Sequence, residues 1–328
     1  MLYRTARRYA CTSRRCPDPH KQTQSRHIVL KIILKEGCLT TYFRLGIVRG
    51  VCSLGSLELR SPVILASGLQ GDTPQKLKEA YDTGVGAVVT KSVTMEPRSG
   101  HPEPNLIKRE NGGWINAIGL KNVGARRFAE ELGRPTYPVI VSLAGNDPSD
   151  FVRMIEMFDG AAAFEINLSC PSVVTFGYNV GDDTSLTTEI IRAAKSTTNV
   201  PIFVKIAYTM LQSVDVFVKA GVDGITAINT VPAMEIDITT GKPKLGNGMG
   251  GLSGPPIKST AIYTVHKLSK IYDIPIMGCG GISSWRDAVE FLLAGADAIQ
   301  VGSAAMDNVS VLRDISKGVE DWQLGHHT

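Results

Sequence analysis

Asn167, Ser169 and Cys170 close an apolar run over residues 161–166 and are followed at once by Pro171. An amide, a hydroxyl and a thiol within four residues can bind a polar ring and move a proton. Proline cannot donate to a sheet ladder, so the strand is predicted to end there. That leaves Asn167 and Cys170 at or just beyond its C-terminal end. Other polar side chains recur in the same place. Lys91 follows the run 87–90, Lys205 lies inside the run 201–206, and Asn229 and Thr230 follow the run 224–228. Asn116 falls in a long connection between two such runs. Lysine is costly to bury unless strong acceptors or anions face it. Two lysines and three asparagines at strand ends fit a planar ligand rich in carbonyl and amide groups. Taken singly, each has a plainer reading: free cysteine is often a core residue, and lysine stems often run along apolar surface to a solvated head.

Glycine clusters supply a second kind of site. Gly250-Gly251-Leu252-Ser253-Gly254, Gly278-Cys279-Gly280-Gly281 and Val301-Gly302-Ser303 lie in the last third of the chain. Glycine lets backbone N–H groups approach an anion closely, and loops late in α/β barrels often hold phosphate. The alternative is tight turning at strand ends. A phosphate site at Gly280, Gly281, Gly302 and Ser303, an amide-reading site and one thiol together fit a flavin mononucleotide (FMN) enzyme. Lys205 would then lie near the ring edge where a cation stabilises reduced-flavin charge, and Cys170 would act as a general base.

Elements that hold these residues at one mouth are legible from residue 61 onward. Apolar runs at 62–66, 87–90, 138–143, 161–166, 201–206, 224–228, 275–278 and 297–301 are each followed by a polar or amphipathic stretch. Helices are expected from Asp72 or Thr73 to about 83, from near Asn122, and over 148–158 and 185–197. Others are expected ending at Ala220 and over 284–293. Strands alternating with helices imply a parallel sheet, and eight closes an α/β barrel, a (β/α)8 TIM barrel. Ala220-Gly221-Val222-Asp223-Gly224 and Ala294-Gly295-Ala296-Asp297-Ala298 share one shape, a helix C-cap glycine turning into a strand. Long loops are expected after strands 2, 4 and 6. Residues 92–121 are rich in Pro and Gly, and residues 229–255 carry a hairpin turn at Thr239-Thr240-Gly241-Lys242 and five glycines from Gly246 to Gly254. Long loops on the active face form lids or binding walls.

With 328 residues, 43% hydrophobic and 20% charged, the chain is of ordinary globular composition. No apolar stretch is long enough to predict a membrane span. Six cysteines, at 11, 16, 38, 52, 170 and 279, show no CxxC pair. That speaks against a disulfide scaffold, a zinc site or any other metal site, and for a reducing compartment, the cytoplasm. The net charge of +4 is uneven: residues 1–50 hold 11 Lys/Arg and 2 Asp/Glu, leaving 24 basic and 29 acidic residues in the rest. A basic face for nucleic acid is therefore not expected. Residues 1–45 read as a basic extension outside the catalytic domain at 46–328. The extension is a disordered tail, a targeting peptide or sequence translated upstream of the true start. Residues 42–60 could contribute a strand or hairpin.

Ile64-Leu65-Ala66-Ser67-Gly68, Thr90-Lys91-Ser92, Asn116-Ala117-Ile118-Gly119-Leu120-Lys121-Asn122, Asn167-Leu168-Ser169-Cys170-Pro171, Asn229-Thr230 and Gly278-Cys279-Gly280-Gly281-Ile282 resemble class 1 dihydroorotate dehydrogenases. The resemblance covers about residues 51–315. Thr94-Met95-Glu96-Pro97-Arg98 and Met234-Glu235-Ile236-Asp237-Ile238 through Gly254 are most similar to the catalytic subunit of the NAD-linked, two-subunit class 1B branch, archaeal forms in particular. The resemblance implies oxidation of dihydroorotate to orotate in pyrimidine biosynthesis. It implies FMN held by Ala66, Ser67, Lys91, Ser92, Asn167, Lys205, Ile228, Gly251, Gly280, Gly281, Gly302 and Ser303. It implies orotate contacts from Lys91, Asn116, Ile118, Gly119, Leu120, Asn167, Asn229 and Thr230. Cys170 would take the C5 proton while the C6 hydride passes to flavin N5. The family's partner carries FAD and an iron–sulfur cluster and passes electrons to NAD, in a heterotetramer built on a homodimer of this subunit. No cysteine spacing here fits such a cluster and no dinucleotide fingerprint is present, so NAD use by this chain alone is not expected. One departure stands out: the family often has Asn two residues after the catalytic Cys, and here Ser172 stands there. A hydroxyl cannot supply both a donor and an acceptor at an amide's reach. A similar flavin domain in dihydropyrimidine dehydrogenase makes dihydrouracil-type rings the alternative substrate.

Overall fold

The computed structural model describes residues 52–168 and 183–325, together with the backbone of the strands Ile28–Lys31 and Tyr42–Leu45. Eight strands form a closed barrel. They are β1 (Val63–Leu65), β2 (Ala87–Val89), β3 (Val139–Leu143), β4 (Ala163–Asn167), β5 (Ile202–Ile206), β6 (Gly224–Ala227), β7 (Ile276–Cys279) and β8 (Ala298–Val301). Each pairs in parallel with its neighbours in sequence, and β8 closes on β1. Helices α1 (Pro74–Asp82), α2 (Ala125–Leu132), α3 (Pro148–Met157), α4 (Thr184–Thr197), α5 (Val214–Ala220), α6 (Lys258–Ile271), α7 (Trp285–Ala294), α8 (Ser303–Asp307) and α9 (Val311–Gln323) follow the strands. The eight predicted runs are the eight barrel strands. Helix α6 was not among the predicted helices.

The chain repeats itself every second strand. Pro62, Pro138, Pro201 and Pro275 stand directly before β1, β3, β5 and β7. Proline has no N–H to give a ladder, so a strand's edge of entry suits it. Its carbonyl still accepts: Ile299, Val88, Phe164 and Ile225 donate their N–H groups to these four prolines. The even strands β6 and β8 begin after a helix ending in a left-handed glycine, Gly221 (φ 102°) and Gly295 (φ 111°). An aspartate then ties each to the strand before it. Asp223 accepts from the Ile202 N–H at 2.7 Å, and Asp297 from the Ile276 N–H at 2.8 Å.

Side chains of a strand alternate between its two faces, and here the two faces bury different chemistry. Val63, Leu65, Val139, Val141, Ile202, Val204, Ile299 and Val301 join the helices in one apolar cluster. Ile64, Val89, Ile140, Ala163, Phe203, Met277 and Ala298 form a second cluster with Cys52, Leu54 and Leu59. Those three come from the hairpin Cys52–Leu54/Leu57–Leu59, which plugs the end where the strands begin. Two residues further along the same inward rows stand Ser142, Glu165, Lys205, Thr226, Cys279 and Gln300, all buried. The barrel interior is therefore apolar at its start and polar toward its C-terminal mouth.

The connections after β2 and β6 build a wall over that mouth. Leu106–Lys108, Trp114–Asn116, Val231–Ala233 and Gly250–Ser253 pair into one antiparallel sheet. The predicted turn at 239–242 joins a small hairpin, Ile236–Asp237 with Lys242–Pro243. An ion triad clips the two loops together: Arg109 Nε donates to Glu235 Oε1 at 2.7 Å, and Lys244 Nζ lies 3.1 Å from Glu235 Oε2. The loop predicted after strand 4 lies outside the described residues.

Candidate active site at the barrel mouth

A cavity opens where the strands end, and its floor is the polar layer of the barrel. Lys205 and Gln300 line it from β5 and β8, with Cys279 at the end of β7. Lys205 Nζ donates to Gln300 Oε1 at 3.3 Å and sits 3.8 Å from Glu165 Oε1. Burial pushes its ammonium down, but contact with the Cys279 sulfur and the Glu165 carboxyl outweighs burial and holds it above the ordinary lysine value.

One wall is a chain of hydrogen bonds. The Thr230 N–H donates to Asn229 Oδ1 at 2.8 Å, which fixes the amide. Asn229 Nδ2 then donates to Asn167 Oδ1 at 3.2 Å, and Asn167 Nδ2 to Ser92 Oγ at 3.0 Å. Ser92 meets Ser142 at 2.9 Å and Ser67 at 3.5 Å. The order holds because a backbone N–H can only donate. Two amides are thereby set in one orientation before any ligand arrives, which lowers the cost of ordering them on binding. Lys91 lines the cavity next to this wall. Burial lowers its pKa, against the pull of Asp72, while Lys121 and Lys76 push it further down.

Opposite stand Asn116, Ile118 and Leu120 from the loop after β2. Asn116 Nδ2 donates to the Gly251 carbonyl at 3.1 Å. Gly119 and Leu120 are both left-handed, with φ of 68° and 55°. A side chain at 119 would run into His101, 2.6 Å from a built Cβ. Leu120 bears strain that only glycine avoids at such a φ. The glycine end is formed by Gly280 (φ 123°), Gly281 (φ 81°), Gly302 and Ser303.

Of the residues singled out in the sequence, Ala66, Ser67, Lys91, Ser92, Asn167, Lys205, Ile228, Gly280, Gly281, Gly302 and Ser303 line this one cavity. So do Asn116, Ile118, Leu120, Asn229 and Thr230. Gly119 and Gly251 do not: Gly119 turns the loop against His101, and Gly251 lies buried in the sheet, where it holds Asn116. Cys170 and Ser172 lie outside the described residues. Sequence reasoning missed Gln300, Trp114, Leu106 and Met306 in the lining, and Glu165 and Thr226 beneath it. A polar residue inside an otherwise apolar strand, as in Ala298-Ile299-Gln300-Val301, was the available signal for three of them.

Among the described residues no cluster of His, Cys, Asp or Glu could hold a metal ion, and no helix is long and apolar enough to cross a membrane. A profile of the dihydroorotate dehydrogenase family matches residues 52–322. The chain is 41% identical to the catalytic subunit of dihydroorotate dehydrogenase B (NAD(+)) from Methanocella arvoryzae, over 83% of this chain and 92% of that protein. It is 42% identical to the subunit of that name from Pyrococcus horikoshii, over 82% and 91%. With the subunit from Archaeoglobus fulgidus it shares 42% identity over 76% and 86%. A barrel whose polar mouth gathers these lysines, amides and glycines, and a family match over nearly all of that barrel, lead to one assignment: the chain belongs to the dihydroorotate dehydrogenase family.

Proposed function

We infer that the protein oxidises dihydroorotate to orotate in pyrimidine biosynthesis, with FMN bound in the barrel-mouth cavity. The observation that carries this reading is the convergence of Lys91, Lys205, Asn116, Asn167 and Asn229 on a cavity that also has a glycine-lined end. The residues present fit FMN. At Gly68, on the lining, an added Cβ would meet no protein atom within 4 Å, so the space beside this stretch of backbone is open. Positive φ at Gly280 and Gly281 leaves backbone, not side chain, at the end proposed for the phosphate. Ala66, Ser67, Ser92 and Ile228 complete the proposed cofactor contacts with Gly302 and Ser303.

FMN bound there supplies the acceptor for the hydride that leaves the substrate. The chain's own residues do the rest. Lys205 puts positive charge at the floor. Asn167 and Asn229, held by Ser92 and the Thr230 N–H, present fixed amides to a ring bearing carbonyl and N–H groups. Lys91, with Asn116, Ile118, Leu120 and Thr230, faces the proposed orotate site, where an ammonium suits a carboxylate. Cys170, three residues beyond Asn167, is proposed as the base that takes the C5 proton.

The relatives' name, catalytic subunit of an NAD(+) enzyme, supports a separate partner subunit. We propose that electrons leave through a partner carrying FAD and an iron–sulfur cluster, in a heterotetramer built on a homodimer of this chain, in the cytoplasm. The catalytic unit is proposed to run over residues 46–328. Purified protein tests the reading. It should be yellow, release FMN on denaturation, and turn over dihydroorotate with an artificial acceptor. A colourless protein, or preference for dihydrouracil, would contradict it.

A further inference from the structure

Among the described residues, the polar layer below the cavity contains one acidic group that is not itself part of the cavity lining. Glu165, in β4, is fully buried. Its Oε2 accepts from Thr226 Oγ1 and from Gln300 Nε2, each at 2.7 Å. Gln300 turns its Oε1 to Lys205 Nζ at 3.3 Å. A lysine ammonium can only donate, so this contact fixes the amide, carbonyl toward Lys205 and NH2 toward Glu165. Gln300 Nε2 also lies 3.2 Å from Thr226 Oγ1, so it donates there and the threonine hydrogen is directed to Glu165. Thr226 and Gln300 thus both donate to the carboxyl. Its Oε1 has no hydrogen-bond partner and faces Lys205 Nζ at 3.8 Å, an ion-pair distance beyond hydrogen-bond reach.

We propose that Glu165 is a positioning residue: its buried carboxylate, held by Thr226 and Gln300, keeps Lys205 protonated and anchored, so that the cavity floor carries a fixed positive charge. Among the described residues, the titratable groups facing Lys205 are Glu165 from β4 and Cys279 from β7; Gln300 on β8 and Thr226 on β6 do not titrate. Burial raises the Cys279 thiol above its ordinary value, despite the nearby Lys205 charge. Near neutral pH it is therefore uncharged, which leaves the Glu165 carboxyl, 3.8 Å away, as the acidic neighbour among the described residues. An ammonium buried without a counter-charge loses its proton rather than bear the desolvation cost. Lys205 would do so if Glu165 were made neutral. The consequence for redox chemistry rests on the reading of the cavity as a flavin site: a fixed cation at the floor favours the more negative, reduced ring.

The test follows the Lys205 proton directly. Full-length protein carrying 13C at the lysine ε-carbon is titrated by NMR, with Lys205→Met identifying the signal. Wild-type Lys205 should keep its proton to a higher pH than an exposed lysine. Glu165→Gln should lower its midpoint by at least about one pH unit, and Glu165→Asp, which draws the charge back, by less. On the FMN-loaded protein, Glu165→Gln should give the flavin midpoint potential a step at the pH where Lys205 loses its proton. That step should be absent from wild type and from the Glu165→Gln/Lys205→Met double variant. An unchanged Lys205 midpoint in Glu165→Gln overturns the proposal. Should that variant not fold, wild type and Glu165→Asp carry the comparison, and a wild-type Lys205 that loses its proton below the ordinary lysine value overturns it. A chain that takes up no FMN would undo the flavin reading, while the NMR titration would still decide the role of Glu165.

Discussion

Asn167 shows how much a single residue is asked to do. It ends β4, lines the cavity, and sits between Asn229 and Ser92 in a hydrogen-bond chain whose direction a backbone N–H sets. Its place was legible because a polar amide before Ser-Cys-Pro can only terminate an apolar strand. The hydrogen-bond chain beyond it was not legible, since Ser92 follows β2, Ser142 lies in β3 and serine leaves no periodic mark. Glu165 was hidden for the opposite reason: one acid in an apolar run looks like noise until three other strands bring Thr226, Gln300 and Lys205 around it. The residue-scale prediction concerns the thiol. Cys170→Ala should keep bound FMN but slow flavin reduction by dihydroorotate at least about 100-fold, the range for losing a general base. Cys170→Ser should be intermediate or worse, because a hydroxyl is a poor base near neutral pH. Stopped-flow absorbance measures both, and reduction of Cys170→Ala at the wild-type rate would remove Cys170 from the mechanism.

Among the elements, the barrel strands were the most readable. A parallel strand buried on both faces is a short apolar run, and proline before β1, β3, β5 and β7 marks where four of them begin. The antiparallel sheet over the mouth was not readable, because it pairs Trp114–Asn116 with Gly250–Ser253, far apart in the chain. Helix α6 was missed because it opens from a glycine-rich stretch through Pro255 and Pro256, without a side-chain N-cap to announce it. Helix α7 is the contrast: Ser284 accepts from the Asp287 N–H, and Asp287 accepts from the Ser284 N–H at 2.9 Å. Ser284→Ala should cost about 1 kcal/mol, read as a lower denaturation midpoint. Asp287 also meets Lys258 at 2.7 Å, and despite burial these bonds bring its pKa down to about 2. A carboxyl lowered on folding contributes stability above its unfolded value of 3.8, and that contribution is lost as pH falls toward 2. Denaturation of wild type and Asp287→Asn should therefore differ at pH 6 and converge in acid. A difference as large at about pH 2 as at pH 6 would contradict the assignment.

At the scale of the molecule, the barrel grades from an apolar plug at one end to a polar, ligand-sized mouth at the other. The hairpin Cys52–Leu54/Leu57–Leu59 makes the plug, and the family match begins with it, at residue 52. Strands Ile28–Lys31 and Tyr42–Leu45 pair with each other and not with the barrel. A chain starting at residue 46 should then keep the thermal midpoint and the flavin content of the full chain. Loss of either would place part of the basic segment in the catalytic unit.

Anaerobic mixing of the FMN-loaded protein with one equivalent of dihydroorotate tests the central claim most directly. Bleaching of the flavin absorbance with formation of orotate, and no bleaching by dihydrouracil, is the result predicted. A flavin that stays oxidised with dihydroorotate, or is reduced equally by both rings, would contradict the account.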